Sequence, residues 1–187
     1  MFNHRLCPQR SLKDLLRVKP GKKLSEREAL VVMKQLVSAV EMIHSRGVTH
    51  CDLKLDNILI DESNLNTTLI DFGCSAEHPE VDPPEFVCGS PAYMPPEQIG
   101  NKGLDFYKAD VWSLGVVLYT LVTGIFPFKG KTLDELQRKI VRMEFNFPTG
   151  CGLSQDLKKL LRKMISPAES RISAKEILSD PWLKTST

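Results

Sequence analysis

Apolar residues in this chain recur at two spacings, which divide it into helical and extended stretches. Leu30, Met33, Val37, Val40 and Ile43 return every three or four positions, the stripe of an amphipathic helix. Ser25-Glu26-Arg27-Glu28 stands in front of that stripe as a capping box, and Gly47 is its stop signal. Ile58-Leu59-Ile60 and Thr68-Leu69-Ile70 flank a polar turn from Asp61 to Asn66 and predict a hairpin. Further on, the pattern predicts an apolar helix from Asp110, then helices around Leu133–Val141, from Ser154 to Ile165 and around Ser173–Leu178. Leu157, Leu160, Leu161 and Met164 give the third of these a buried face. Between Cys74 and Pro96 the chain is rich in Pro, Glu, Gly and Ser without periodicity, which predicts a long loop. The fold class expected is α+β, mainly α-helical, with one small β-hairpin sheet.

Size and charge narrow the picture. A chain of 187 residues suffices for one domain with a sizeable core. Basic and acidic residues nearly balance, 25 against 23, so no polyanion-binding surface or nucleic-acid partner is expected. Two basic patches, Lys19/Lys22/Lys23 and Lys158/Lys159/Arg162/Lys163, read best as solvated surface. Val111 to Phe128 runs 18 residues without a charge, but Ser, Gly, Thr and Pro interrupt it. A buried core helix, not a membrane span, is the expectation. The five cysteines share no C-x-x-C spacing and follow no signal peptide, which fits a reduced cytoplasmic or nuclear compartment. Cys74 reads as a small buried residue or, failing that, an exposed thiol.

The chemistry concentrates in His50-Cys51-Asp52-Leu53-Lys54-Leu55-Asp56-Asn57 and Asp71-Phe72-Gly73. Two carboxylates, an ammonium and a carboxamide bracket the hairpin, with Asn57 just before its first strand and Asp71 just after its second. Phosphoryl transfer from ATP needs such a set: a carboxylate to orient the hydroxyl, hard oxygens for Mg²⁺, and a cation for the charge on the phosphoryl group.

These motifs resemble the catalytic loop and metal-binding tripeptide of eukaryotic protein kinases. Other landmarks follow in order. Gly89-Ser90-Pro91-Ala92-Tyr93-Met94-Pro95-Pro96-Glu97 resembles the segment that ends in Ala-Pro-Glu. Asp110-Val111-Trp112-Ser113-Leu114-Gly115 resembles the start of the family's central helix. Ser170-Arg171-Ile172 through Asp180-Pro181-Trp182 resembles its closing segment. The Cys-Gly-Ser-Pro-x-Tyr pattern and Asp-Pro-Trp-Leu are similar to the calcium/calmodulin-regulated group of Ser/Thr kinases.

The resemblance implies the large C-terminal lobe of a Ser/Thr protein kinase. Residues 1–10 would be a hinge remnant, 11–187 the lobe with Ser11–Arg17 as its first helix, and about 71–97 the activation segment. The family's small lobe, with its Gly-rich loop and strand Lys, has no counterpart among these residues. Asp52 would orient the substrate hydroxyl, Lys54 would meet the γ-phosphate, and Asn57 and Asp71 would hold Mg²⁺. Leu59 and Ile70 would lie beneath the adenine ring of ATP, though ordinary strand core describes them equally well. Glu97 with Arg171 would form a structural ion pair, Asp110 would anchor the catalytic loop, and Ser90 would sit near Asp52 and Lys54. Asp56 would favour basic residues near the phosphoacceptor, and Thr120, where an acid is common in Arg-directed members, weakens that preference.

Cys51 stands where the family usually has Arg. Phe86 takes the usual place of the phosphorylated Thr, and no Thr occurs between Asp71 and Pro96. Missing together, receptor and phosphate site imply a lobe ordered without activation-loop phosphorylation, with Glu85 as a candidate fixed charge. The partners implied are protein substrates with Ser or Thr, and a partner covering the surface that faces the small lobe. The alternative function is a non-catalytic scaffold or decoy that binds a kinase or its substrates.

Overall fold

The two longest helices among the described residues pack against each other, and several of the other elements pack on one or both of them. The computed structural model of the protein describes residues 9–80, 89–100 and 103–185. A short strand β1 (Arg10–Ser11) leads into α1 (Leu12–Val18), and the long α2 (Glu26–His44) follows. After β2 (Val48–Thr49) come the hairpin strands β3 (Ile58–Asp61) and β4 (Asn66–Leu69), then β5 (Ala76–Glu77). The rest is helical: α3 (Pro96–Ile99), α4 (Phe106–Thr123), α5 (Leu133–Val141), α6 (Gln155–Met164), α7 (Ala174–Ile177) and α8 (Pro181–Lys184). The expected mainly helical α+β fold with a small sheet is what the chain adopts.

Local chemistry sets the helix ends. At α2 the Ser25 hydroxyl accepts from Glu28 N, and the Glu28 carboxylate accepts from Ser25 N at 2.8 Å, so the capping box forms as expected. Leu30, Met33, Val37 and Val40 are buried, and the stripe ends in the half-buried Ile43. Helix α5 has the expected bounds, capped by Thr132. Helix α6 buries Leu157, Leu160, Leu161 and Met164 completely and is capped by Ser154.

Helix α4 begins earlier than expected, at Phe106 and not Asp110. The Asp105 carboxylate accepts from Lys108 N at 3.0 Å and caps it there, which places Asp110 inside the second turn. From Asp110 to Val122 every residue of α4 but Ser113 is buried, as an all-round apolar helix in a core must be. Among the described residues no helix is long and apolar enough to cross a membrane. Gly115 lets α6 approach α4, since a Cβ there would lie 2.9 Å from Ile165 Cγ1.

The hairpin differs from its expected strands: the first runs one residue further, to Asp61, and the second begins two residues earlier and ends one earlier, spanning Asn66–Leu69. Its register pairs Ile58 with Leu69 and Asp61 with Asn66. Asp61 builds the turn by accepting from Ser63 N, the Ser63 hydroxyl and Asn64 Nδ2, which pulls it into the strand end. Gln35 of α2 clamps the hairpin, accepting from Thr67 N at 3.0 Å and donating to Leu65 O at 2.9 Å. Three strands lay outside the sequence pattern: β1, which pairs antiparallel with β3, and the β2–β5 pair. Each is two residues long, too short to show an alternation. Strand β5 and a 3-10 turn at Pro91–Tyr93 give structure to a stretch expected to be loop throughout, and α3 and α8 are likewise additions.

Gly124 ends α4 at φ 75°, a left-handed conformation that costs other residues about 1–2 kcal/mol. A Cβ there would also lie 2.5 Å from Gly21 O, where the loop after α1 crosses the helix end. Gly124→Ala should therefore lower unfolding stability by at least ~1–2 kcal/mol in urea titration, and an unchanged midpoint would contradict this packing.

Candidate active site

The site is built where α2 hands the chain to the loop 50–57. His50 is fully buried, and its backbone N donates to Asp110 Oδ2 at 2.8 Å. Cys51 N donates to Asp110 Oδ1 at 2.9 Å. The same carboxylate meets His44 Nε2, from the last turn of α2, at 2.9 Å. Asp110 is 1% exposed, so a buried anion gathers three groups around the start of the loop. The expected anchoring by Asp110 is present, and His44 is a partner that sequence reasoning missed.

That grip holds an unusual backbone. Cys51 has φ 63°, in the left-handed region that non-glycine residues seldom occupy. The hydroxyl of Thr49 lies 3.3 Å from Cys51 Sγ. Asp71, at the far end of the hairpin, has the same φ of 63°. Strained residues of this sort persist where surrounding contacts over-determine them. His50 links the two: its Nδ1 accepts from Asp52 N at 3.3 Å, so Nε2 carries the proton and donates to Ile70 O at 3.0 Å. The ring also packs on Phe72 at 4.7 Å between centroids.

Asp52, Lys54 and Asn57 meet in one hydrogen-bonded cluster. Lys54 Nζ donates to Asp52 Oδ2 at 2.5 Å. Asn57 Nδ2 donates to Asp52 O at 3.0 Å and to Asp52 Oδ2 at 3.1 Å. The hydrogen bond to Asp52 raises the pKa of Lys54 against the opposing effect of burial, and the charges of Asp52, Asp56 and Asp71 add to it. Lys54 therefore stays an ammonium across the neutral range. Ile70 N donates to Asn57 O at 2.9 Å, which brings the two ends of the hairpin, and so Asn57 and Asp71, side by side.

The residues expected to hold Mg²⁺ fit it chemically. Hydrogen bonds occupy Asn57 Nδ2, and Gly73 N donates to Asp71 Oδ1 at 3.3 Å. Among the described residues Asn57 Oδ1 and Asp71 Oδ2 are left as acceptors without a donor. They are hard oxygens, few enough for a cation that shares its coordination with phosphate and water. No group of three His, Cys, Asp or Glu residues able to hold a metal alone occurs among the described residues. Leu59 and Ile70 are half-buried, with Leu59 on the face of β3 opposite the buried Ile58 and Ile60.

Ser90 lies across a small pocket from Asp52, with Tyr93 and Ser113 in its wall. Burial pushes the Tyr93 hydroxyl up to about 12, and it accepts from Leu55 N at 3.4 Å. Cys74 is half-buried. Two basic patches are tied in part: Lys19 pairs with Glu28 at 2.5 Å and Lys163 with Asp180 at 2.8 Å. Residues 1–8 of the expected hinge, and Glu85 and Phe86, lie outside the described residues.

Beside the site, Arg171 and Glu97 form the expected ion pair at 2.6 and 3.1 Å. Each of the five N–H groups of Arg171 has a partner, the others being Ser166 O and Lys108 O. The guanidinium also covers the Trp112 ring at 4.9 Å.

Comparison with known proteins follows the same lines as this geometry. The family model described as protein kinase domain matches residues 2–183. The chain belongs to the protein kinase family. Among similar kinases, CBL-interacting protein kinase 10 of Oryza sativa subsp. japonica is 45% identical over 166 residues, covering 87% of this chain and 36% of that protein. CBL-interacting serine/threonine-protein kinase 20 of Arabidopsis thaliana is 43% identical, covering 87% and 37%. Sperm motility kinase Z of Mus musculus is 38% identical over 169 residues, covering 90% and 33%. The chain thus spans about a third of the length of these kinase relatives.

Within this kinase domain the Arg171 pair gives the clearest structural test. Glu97→Ala leaves a fully buried guanidinium without its counter-ion and should cost about 3–5 kcal/mol in urea unfolding. A loss under ~1 kcal/mol would mean that the pair carries little of the fold, as exposed pairs do.

Proposed function

We propose that the protein is an ATP-dependent protein serine/threonine kinase, which moves the γ-phosphoryl group of ATP to a serine or threonine hydroxyl of a protein substrate. The observation that carries this reading is the cluster in which Asp52 faces Lys54 and Asn57, with Asp71 beside it across the hairpin. In this reading residues 11–187 act as the large lobe, with an activation segment at about 71–97.

Asp52 orients the incoming hydroxyl and takes its proton as the new O–P bond forms and the bond to ADP breaks. Lys54, kept cationic by its acidic neighbours, turns from Asp52 toward the γ-phosphoryl oxygens and offsets their growing charge. Asn57 Oδ1 and Asp71 Oδ2 are the oxygens that would hold Mg²⁺, which when bound neutralises phosphate charge. Leu59 and Ile70 offer the apolar surface for adenine. Cys51 leaves no guanidinium next to Asp52, so the loop's order rests on Asp110 and His50, not on a phosphorylated residue. A reduced cytoplasmic or nuclear setting belongs to the same proposal, supported by five cysteines without C-x-x-C spacing.

Calorimetry of Mg-ATP binding, paired with transfer assays on generic peptides, tests the reading. Asp71→Ala should abolish nucleotide binding. Asp52→Asn should keep it while lowering transfer by about 10²–10⁴-fold. A folded chain that binds no Mg-ATP, or one whose Asp71→Ala variant binds as tightly as the unaltered protein, would contradict the catalytic reading and favour a scaffold or decoy.

A further inference from the structure

Three ion pairs lie on α1, on the turn at 55–57 that packs against it, and on the loop just before that turn. Lys13 Nζ lies 2.6 Å from Asp56 Oδ1, Arg17 pairs with Asp14 at 3.0 Å, and Lys54 with Asp52 at 2.5 Å. These include every charged side chain of α1 and of that turn. The carboxylate of Asp56 acts on the same groups as Asp52 does: both charges reach Lys54 and the Tyr93 hydroxyl. Asp56 is thus an acid at the rim of the reacting centre, and the Lys13 ammonium sits on it.

An extended peptide with its hydroxyl at Asp52 advances about 3.3–3.6 Å per residue, so three residues on either side cover roughly 10 Å of this edge. The Debye length is about 8 Å at physiological salt, so charges on the nearer flanking residues sense the rim. A lone Asp56 would attract Arg or Lys there. With Lys13 beside it the local charge cancels. Thr120 adds no acid, since it is buried and its hydroxyl donates to Val116 O at 2.8 Å within its own helix.

We propose that Lys13 is a specificity-determining residue, which neutralises Asp56 and leaves this kinase without a preference for basic residues near the phosphoacceptor. The proposal rests on the reading of Asp52 as the group that receives the substrate hydroxyl. It needs only charge cancellation at the rim and no stability from the pair, which at 44% and 41% side-chain exposure is worth little to the fold. Replacing Lys13 therefore changes the local field without threatening the structure.

Fluorescence anisotropy tests this directly, with labelled peptides of one serine that carry Arg, Ala or Glu at each of three positions on either side. The unaltered chain should bind Arg and Ala peptides within about two-fold of each other, because a neutral rim discriminates weakly. Lys13→Glu should raise the relative affinity of the Arg peptide by about ten-fold at one or more positions, and adding Asp56→Asn should remove part of that gain. High salt should erase the difference. An unaltered chain that already favours Arg ten-fold, a ratio that ignores Lys13→Glu, or a folded chain that binds none of the peptides would each overturn the proposal. Transfer from ATP, measured in parallel, separates the two readings. A Lys13-dependent selectivity without transfer would defeat the catalytic reading and leave this one standing. Transfer with a ratio indifferent to Lys13 would do the reverse.

Discussion

The carboxylate of Asp110 is the constraint from which the site follows. It is a charge buried in the core, one turn inside the helix that forms the core's axis, and such a charge must be satisfied where it stands. The donors that satisfy it are His50 N, Cys51 N and the His44 ring. The start of the loop is therefore fixed to the most buried helix of the molecule. Because both backbone N–H groups are held, Cys51 can be kept at φ 63°, a conformation it would otherwise leave.

From there the order passes outward through short links. His50 uses one ring nitrogen for Asp52 N and the other for Ile70 O, so the loop and the residue before Asp71 share one support. The hairpin supplies a second, since Ile70 N donates to Asn57 O. A separate brace stands on the other side, where Arg171 joins Glu97, Ser166, Lys108 and Trp112 beneath the segment that follows Ser90. Asp110 takes three donors and Arg171 has a partner for each of its five N–H groups; both charges are buried, so each brace is costly to disturb. At the solvent edge the ion pairs Lys13–Asp56 and Arg17–Asp14 are exposed, and such pairs add little to the order of the loop.

Features that a few consecutive residues decide were legible in the sequence. The capping box at Ser25, the bounds of α5 and the buried face of α6 all follow from local spacing. The gathering of Asp52, Lys54 and Asn57 was legible because one loop carries all of them. Features that depend on distant partners were not. Strands β1, β2 and β5 exist only because a neighbour pairs with them, and two residues carry no period. The start of α4 was misplaced because Asp110 drew the boundary to itself, while Asp105 does the capping. Nothing local to His44 or Lys13 signals their roles, since their partners lie 66 and 43 positions away. The ion pair between Asp56 and Lys13 was likewise outside what the sequence showed.

The central claim is that Asp110 holds the loop by the backbone groups of His50 and Cys51. Amide hydrogen exchange followed residue by residue by NMR measures this most directly, beside an isosteric Asp110→Asn variant. The account predicts that these two amides exchange as slowly as those of the α4 interior, and that in the variant at least one becomes fast while α4 stays protected. Exchange at ordinary loop rates in the unaltered protein, or protection indifferent to Asp110→Asn, would contradict it.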